Sequence, residues 1–185
     1  MSGRESRLFP EGENLRSDLN ELCNRVIQDN EKDWQVIRKW FSRHTQSEAE
    51  EAASYRGKDQ TTALHIACRG FVPFDVVQML VNACTRALDW EDDFGWLPLH
   101  YACHHGVREE VLQLILVKNP DAVKVTDTKG RNPLHFAVGK MGKLQGHFAS
   151  TVFTALTQTG AAKVADKKGM MVSVCVGHCT TLGDD

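Results

Sequence analysis

Histidines and cysteines are the residue types best suited to chemistry in this chain of 185 residues. Three histidines, His65, His100 and His135, recur at identical intervals of 35 residues. Imidazole is the commonest general acid or base in enzymes, so each of them could in principle serve that role. An enzyme needs such a group at one site, however, and the same residue every 35 positions indicates a structural repeat. We therefore predict that these histidines are structural and that the chain has no catalytic residue.

Two short segments contain residue types that bind metals. Residues 103–105 read Cys-His-His, and residues 175–179 contain a Cys-x-x-His-Cys pattern. A structural zinc ion takes four ligands, commonly from two well-spaced pairs, and neither segment has a second pair nearby. Phosphate-binding glycine loops and the G-x-S-x-G nucleophile motif are also missing from the sequence. We predict a core cysteine and surface histidines at 103–105, with no metal and no cofactor.

The composition is that of an ordinary soluble protein. Apolar residues make up 42%, and 22 basic against 24 acidic side chains give a net charge of -2. These fractions exclude collagen-like structure and wholesale disorder, and no apolar run approaches the ~18 residues of a membrane span. The N-terminus lacks the apolar core of a signal peptide, and the six scattered cysteines are interpreted as reduced thiols. A cytoplasmic or nuclear location is expected.

The small net charge conceals an asymmetry along the chain. Residues 1–117 hold 13 basic and 19 acidic side chains, a net of -6, whereas residues 118–168 hold 9 basic and 3 acidic, a net of +6. Such a distribution concerns binding partners rather than the fold.

The three histidines belong to an internal repeat. Residues 62–68, 97–103 and 132–138 align as A-L-H or P-L-H segments, and D-x-x-G turns stand at 92–95, 127–130 and 166–169. Pro98 and Pro133 suit the first position of a helix, and an apolar face at i, i+3 and i+4 follows in each unit. This pattern resembles the ankyrin-repeat family, whose repeat carries D-x-x-G-x-T-P-L-H-x-A. The resemblance implies an all-α solenoid of stacked helix-turn-helix units with short β-hairpin-like loops.

The expected organisation has four parts. Residues 1–16 are polar and expected to be disordered, and residues 17–56 form a degenerate helical cap of one inner and one outer helix. The repeats are placed at about 57–91, 92–126 and 127–165, here called repeats 1, 2 and 3. Residues 166–185 form an incomplete or irregular terminal unit, because a T-P-L-H segment is missing after Gly169.

The resemblance implies binding through a concave face that combines the hairpin tips with the solvent side of the inner helices. Large aromatic anchors in such a face supply much of the binding energy. We expect Trp96 to be exposed there and Trp90 to pack against a neighbouring loop. The positions carried over are Lys58, Asp59 and Arg69 in repeat 1, Asp93, Phe94, Trp96, His104 and His105 in repeat 2, and Thr128, Lys129 and Arg131 in repeat 3. Structural repeat positions are His65, His100, His135, Gly95, Gly130 and Gly169.

These features favour a non-enzymatic scaffold that binds another protein, with the chain itself a monomer. One alternative is an electrostatic binder of nucleic acid or anionic lipid through the basic segment 118–168. Few aromatic residues interleave with its lysines, which disfavours single-strand binding. Another alternative is a regulatory fragment of a larger enzyme complex.

Overall fold

The computed structural model describes residues 15–29, 33–138 and 166–167, and within them it is built from α-helices and short 3-10 turns without a strand. The predicted all-α repeat solenoid is confirmed. The helices are α1 (Leu15–Gln28), α2 (Gln35–Arg43), α3 (Gln46–Ala53), α4 (Ala63–Ala67), α5 (Phe74–Ala83), α6 (Pro98–His105), α7 (Glu109–Lys118) and α8 (Pro133–Val138). The 3-10 turns are Lys58–Gln60, Thr85–Asp89 and Pro120–Lys124.

Helices α4, α6 and α8 are the inner helices of repeats 1, 2 and 3. Thr62 caps α4 by accepting a hydrogen bond from the backbone N–H of His65 at 3.4 Å, and the Asn132 side chain does the same for α8 at 3.2 Å. Leu97 has no polar side chain, so α6 begins without such a cap. Alanines 67, 102 and 137 are fully buried between these helices, and their small side chains let α6 pack directly against both neighbours.

Helices α5 and α7 form the outer layer, and each buries one apolar face. Val76, Val77 and Leu80 of α5 are almost completely buried, as are Val111 and Leu112 of α7. The two helices contact each other and their own inner helices, so one core runs through consecutive repeats. Neither face could be buried within a single unit, which is why the repeats stabilise one another.

The hairpin loops are joined by one backbone hydrogen bond between each pair of successive tips. Gly95 and Gly130 adopt φ of 74° and 78°, a region that favours glycine. A Cβ atom on Gly95 would also lie 3.1 Å from the backbone nitrogen of Thr128. The inter-tip bonds run from Asp93 N to Asp59 O (3.1 Å), from Thr128 N to Phe94 O (3.1 Å) and from Lys167 N to Lys129 O (3.0 Å).

The first hairpin is less regular than the next two. Gly57 and Gln60 occupy the places that Asp and Gly hold in repeats 2 and 3. Asp59 and Gln60 consequently adopt φ of 61° and 58°, where an L-residue is strained by about 1 kcal/mol.

The N-terminal region contains three helices, whereas the sequence predicted two. Helix α1 packs against α3 and α4, and α2 packs against α5. The additional helix, α3, begins with a capping box in which Thr45 and Glu48 bond each other's backbone N–H groups. Its buried face consists of alanines alone, Ala49, Ala52 and Ala53, so the hydrophobic pattern gave little sign of a helix. The Thr-x-x-Glu spacing was the signal that could have revealed it.

Several predicted features lie outside the described residues. They are residues 1–14 of the segment that was expected to be disordered, residues 139–165 of repeat 3, most of the terminal unit 166–185 and Gly169. The last two residues of the first segment, Leu15 and Arg16, belong to α1, which corrects the expectation for them. Among the residues that the structure describes, no helix is both long enough and apolar enough to cross a bilayer.

Candidate partner-binding site

His65 connects repeat 1 to the hairpin of repeat 2. Its Nε2–H donates to the carbonyl oxygens of Trp90 and Trp96, at 3.0 and 3.1 Å. Because carbonyls only accept, Nδ1 is the unprotonated nitrogen, and it accepts from the N–H and the hydroxyl of Thr62 at 3.2 and 2.9 Å. Trp90 is half-buried and packs against the core. The imidazole is fully buried, and both of its nitrogens are hydrogen-bonded, so His65 is a structural residue that links the two repeats.

His100 makes the equivalent connection from repeat 2 to repeat 3. Nδ1 accepts from the backbone N–H of Leu97 at 3.0 Å, and Nε2 donates to the carbonyl of Arg131 at 3.3 Å. Leu97 supplies no hydroxyl, so Nδ1 of His100 accepts one hydrogen bond fewer than Nδ1 of His65. Burial lowers the pKa of both imidazoles to about 4, although the carbonyls and nearby aspartates act in the opposite direction.

A pocket of about 450 Å³ opens between the hairpins of repeats 2 and 3, the inner helix of repeat 2 and Arg69 of repeat 1. We call it the repeat 2–3 pocket. It is bordered by aromatic rings, imidazoles and cationic side chains around one carboxylate. Its lining residues are Arg69, Phe94, Trp96, Tyr101, His104, His105, Asp127, Thr128, Lys129 and Arg131.

Asp127 organises the repeat 3 side of this pocket. One carboxylate oxygen accepts from the backbone N–H groups of Lys129 and Arg131, at 2.8 and 2.9 Å. The other accepts from the Arg131 guanidinium at 2.6 and 2.9 Å and from the indole N–H of Trp96 at 3.2 Å. Burial acts to raise the pKa of Asp127, but the hydrogen bonds from Arg131 and the backbone lower it overall. Asp127 is therefore ionised, and its hydrogen bonds hold the side chains of both Arg131 and Trp96 in place.

Tyr101 organises the opposite side. Its hydroxyl donates to the Asp92 carboxylate at 2.6 Å and accepts from Arg69 at 3.3 Å. The Arg69 guanidinium carbon lies 5.0 Å from the centre of the Tyr101 ring, a cation–π contact. Burial and the bond to Asp92 raise the pKa of Tyr101. These contacts hold an exposed guanidinium at the pocket edge.

Trp96 is half-buried, which corrects the expectation that it is exposed. Its ring packs against Phe136 of α8 with centroids 4.6 Å apart, and against Tyr101 and His104 at 4.9 and 5.4 Å. The exposed aromatic ring at this site is Phe94, 57% of whose surface is accessible. Trp96 is thus a wall of the pocket, and Phe94 stands on its rim.

Most of the residues carried over by the resemblance meet in this pocket. Arg69, Phe94, Trp96, His104, His105, Thr128, Lys129 and Arg131 line it. Lys58, Asp59 and Asp93 are exposed on the hairpins but do not line it. Sequence reasoning missed Tyr101 and assigned Asp127 only to its turn. An aromatic residue inside the P-L-H-x-A segment was the available signal for Tyr101.

The described residues contain no group of three or more metal-binding side chains that could hold a metal ion. Cys103 is fully buried, and burial raises the pKa of its thiol, whereas His105 is exposed. The pattern at 175–179 lies outside the described residues.

Comparison with known proteins agrees with this architecture. A family model described as ankyrin repeats (3 copies) matches residues 19–121 and 64–146. The two matches together cover more than two thirds of the sequence, and the chain belongs to the ankyrin-repeat family. Members of this family are generally protein–protein interaction modules and typically lack enzymatic activity. No match was found among curated proteins.

Proposed function

We propose that this chain is a non-enzymatic module that binds another protein through the repeat 2–3 pocket and the hairpin tips beside it. The observation that carries the proposal is the pocket itself, in which half-buried and exposed aromatic rings stand beside solvent-accessible cations. Aromatic and arginine side chains are the types that most often dominate the energy of protein interfaces. They meet here on the face through which ankyrin arrays are expected to bind.

The pocket is preorganised, which favours binding. Trp96 is held by Asp127 and Phe136, and Arg69 is held by Tyr101. A partner would therefore meet side chains that have already lost most of their rotational freedom, so less entropy is lost on association.

The other groups of the fold support a binding role rather than catalysis. His65 and His100, the most chemically suggestive residues, are fully buried and committed to backbone contacts. A substrate could not reach either imidazole without separating two repeats.

The basic segment 118–168 gives less support to nucleic-acid or lipid binding. In its described part, Arg131 pairs with Asp127 at 2.6 Å and Lys124 pairs with Asp121 at 2.9 Å. Two of the four cations between residues 118 and 138 are therefore partly neutralised by neighbouring carboxylates.

The proposal is tested by affinity capture from the native lysate with the full chain and two matched variants. Phe94→Ala removes the exposed rim ring, and Val117→Ala removes an apolar side chain that is 78% exposed on α7, away from the pocket. Neither side chain belongs to the core, so both variants should fold. We expect Phe94→Ala to lose at least one specific partner that the wild type and Val117→Ala retain. An identical partner set for all three chains would refute binding at this pocket.

A further inference from the structure

We infer that the repeat 2–3 pocket selects an acidic segment of its partner, with a carboxylate side chain held by Arg69 and Lys129 next to an aromatic or aliphatic residue. This inference rests on the proposed function, because it specifies the chemistry of the occupant of the same pocket.

The first argument is the charge of the lining. It contains three permanent cations, Arg69, Lys129 and Arg131, and one carboxylate, Asp127. Arg131 is committed to Asp127 through two side-chain hydrogen bonds. Among the described residues, neither Arg69 nor Lys129 is paired with a carboxylate, and both are exposed. The pocket thus presents to its occupant two positive charges that form no salt bridge with a described residue.

The second argument separates a carboxylate from a phosphate. A phosphate dianion is usually recognised by clustered arginines or by several backbone N–H groups. Here the N–H groups of Lys129 and Arg131 already point at Asp127, as does the Arg131 guanidinium. The ionised Asp127 would also repel a dianion more strongly than a monoanion. A monoanionic carboxylate, met by Arg69 and Lys129, fits this arrangement better.

The third argument is the apolar share of the lining. Phe94 and Trp96 expose ring surface next to the cations, whereas Tyr101, which also lines the pocket, is buried. An apolar side chain beside the carboxylate would cover these rings, whereas a free anion would leave them in water. The occupant is therefore a peptide segment rather than a small anion.

The hairpin tips add an orientation to the segment. The tip of repeat 1 exposes both Lys58 and Asp59, the tip of repeat 2 exposes Asp93, and the tip of repeat 3 exposes Lys129. A segment lying along the tips is best matched when its acidic part lies over repeat 3 and a basic residue lies over Asp93 of repeat 2.

Selection from a random peptide display library with the full chain as bait tests the inference. The charge-removing bait is Arg69→Ala/Lys129→Ala, and the matched bait is Arg86→Ala/Lys118→Ala, which removes the same charges at exposed positions outside the pocket. Circular dichroism of each bait first establishes that it is folded. Affinities are then measured for the enriched peptides, for the same peptides with Asp and Glu amidated, for phosphorylated versions and for single-stranded RNA.

The wild type and the matched bait should enrich peptides in which Asp or Glu stands beside an aromatic or aliphatic residue. Removing Arg69 and Lys129, or amidating the peptide carboxylates, should weaken binding by about tenfold or more. Enriched peptides without acidic residues, an unchanged affinity of the charge-removing bait, or preference for the phosphorylated peptides or RNA would overturn the inference. If the enriched peptides lacked acidic residues but Phe94→Ala abolished their binding, the proposed function would stand and only the inferred selectivity for carboxylates would be wrong.

Discussion

Acidification should destabilise this repeat array because the two fully buried histidines that link the repeats, His65 and His100, bind protons more readily in the unfolded chain. Burial lowers the pKa of each to about 4, against an ordinary value of 6.5 in an unfolded chain. Between those values the unfolded chain binds protons that the folded chain excludes, so stability falls as the pH falls through this window. Well above pH 6.5 both states are neutral at these residues and their contribution is constant.

The magnitude is large for a protein of ordinary stability. The pKa difference between the unfolded and folded states corresponds to about 3 kcal/mol for each imidazole. Together the two residues account for about 6 kcal/mol, which is comparable to the roughly 5–15 kcal/mol that stabilise a typical domain.

Urea unfolding followed by circular dichroism over a series of pH values measures the effect. The useful interval runs from 6.5 down to about 5, above the range in which most carboxylates take up protons. The free energy of unfolding should fall with a slope that approaches about 1.4 kcal/mol per pH unit for each histidine. His100→Gln should reduce this slope whatever it does to the absolute stability, and His65→Gln/His100→Gln should reduce it further. A wild-type protein whose stability is flat over this interval, or a slope that survives in the double variant, would refute the reasoning.

Three further predictions concern stability and can be checked by thermal and urea unfolding. Gly95→Ala should destabilise the protein by about 1–3 kcal/mol, because φ is 74° and a Cβ atom would press on the backbone of the next hairpin. Gln60→Gly should instead stabilise it by about 1 kcal/mol, because it removes a side chain from a residue with positive φ. A change of the same sign in both variants would contradict the strain argument. Tyr101→Phe should cost about 1–3 kcal/mol because the buried carboxylate of Asp92 loses its hydroxyl donor, so an unchanged midpoint would show that this bond is dispensable. Arg38→Ala should cost less than about 1 kcal/mol, since its ion pair with α5 is partly exposed, and a larger loss would mean that the pair fixes α2 in place.

The repeat was predictable from the sequence because its signals are local. The spacing of His65 and His100, the first-turn prolines and the D-x-x-G turns each depend on a few adjacent residues, and the family match agrees with the predicted fold. The irregular first hairpin was also predictable, since Gln60 stands where a glycine is expected.

The environment of the pocket was not predictable in the same way. Trp96 is half-buried because Phe136, from the inner helix of the next repeat, packs against it. The turn residue Asp127 faces the pocket because its second oxygen meets the Trp96 indole across the repeat boundary. Such contacts join residues more than 30 positions apart and depend on how the units stack. A periodic pattern identifies equivalent positions but does not show which side chains meet between repeats.

The most direct test of partner binding at the repeat 2–3 pocket is site-specific photo-crosslinking. A photoreactive amino acid replaces Phe94 on the pocket rim in one chain and Val117 on α7 in another, since both positions are exposed. After irradiation in the native lysate, mass spectrometry identifies the cross-linked peptides. The proposed function predicts that position 94 captures a defined segment of one partner protein and that position 117 does not. Capture at position 117 alone, or equal capture at both positions, would contradict it.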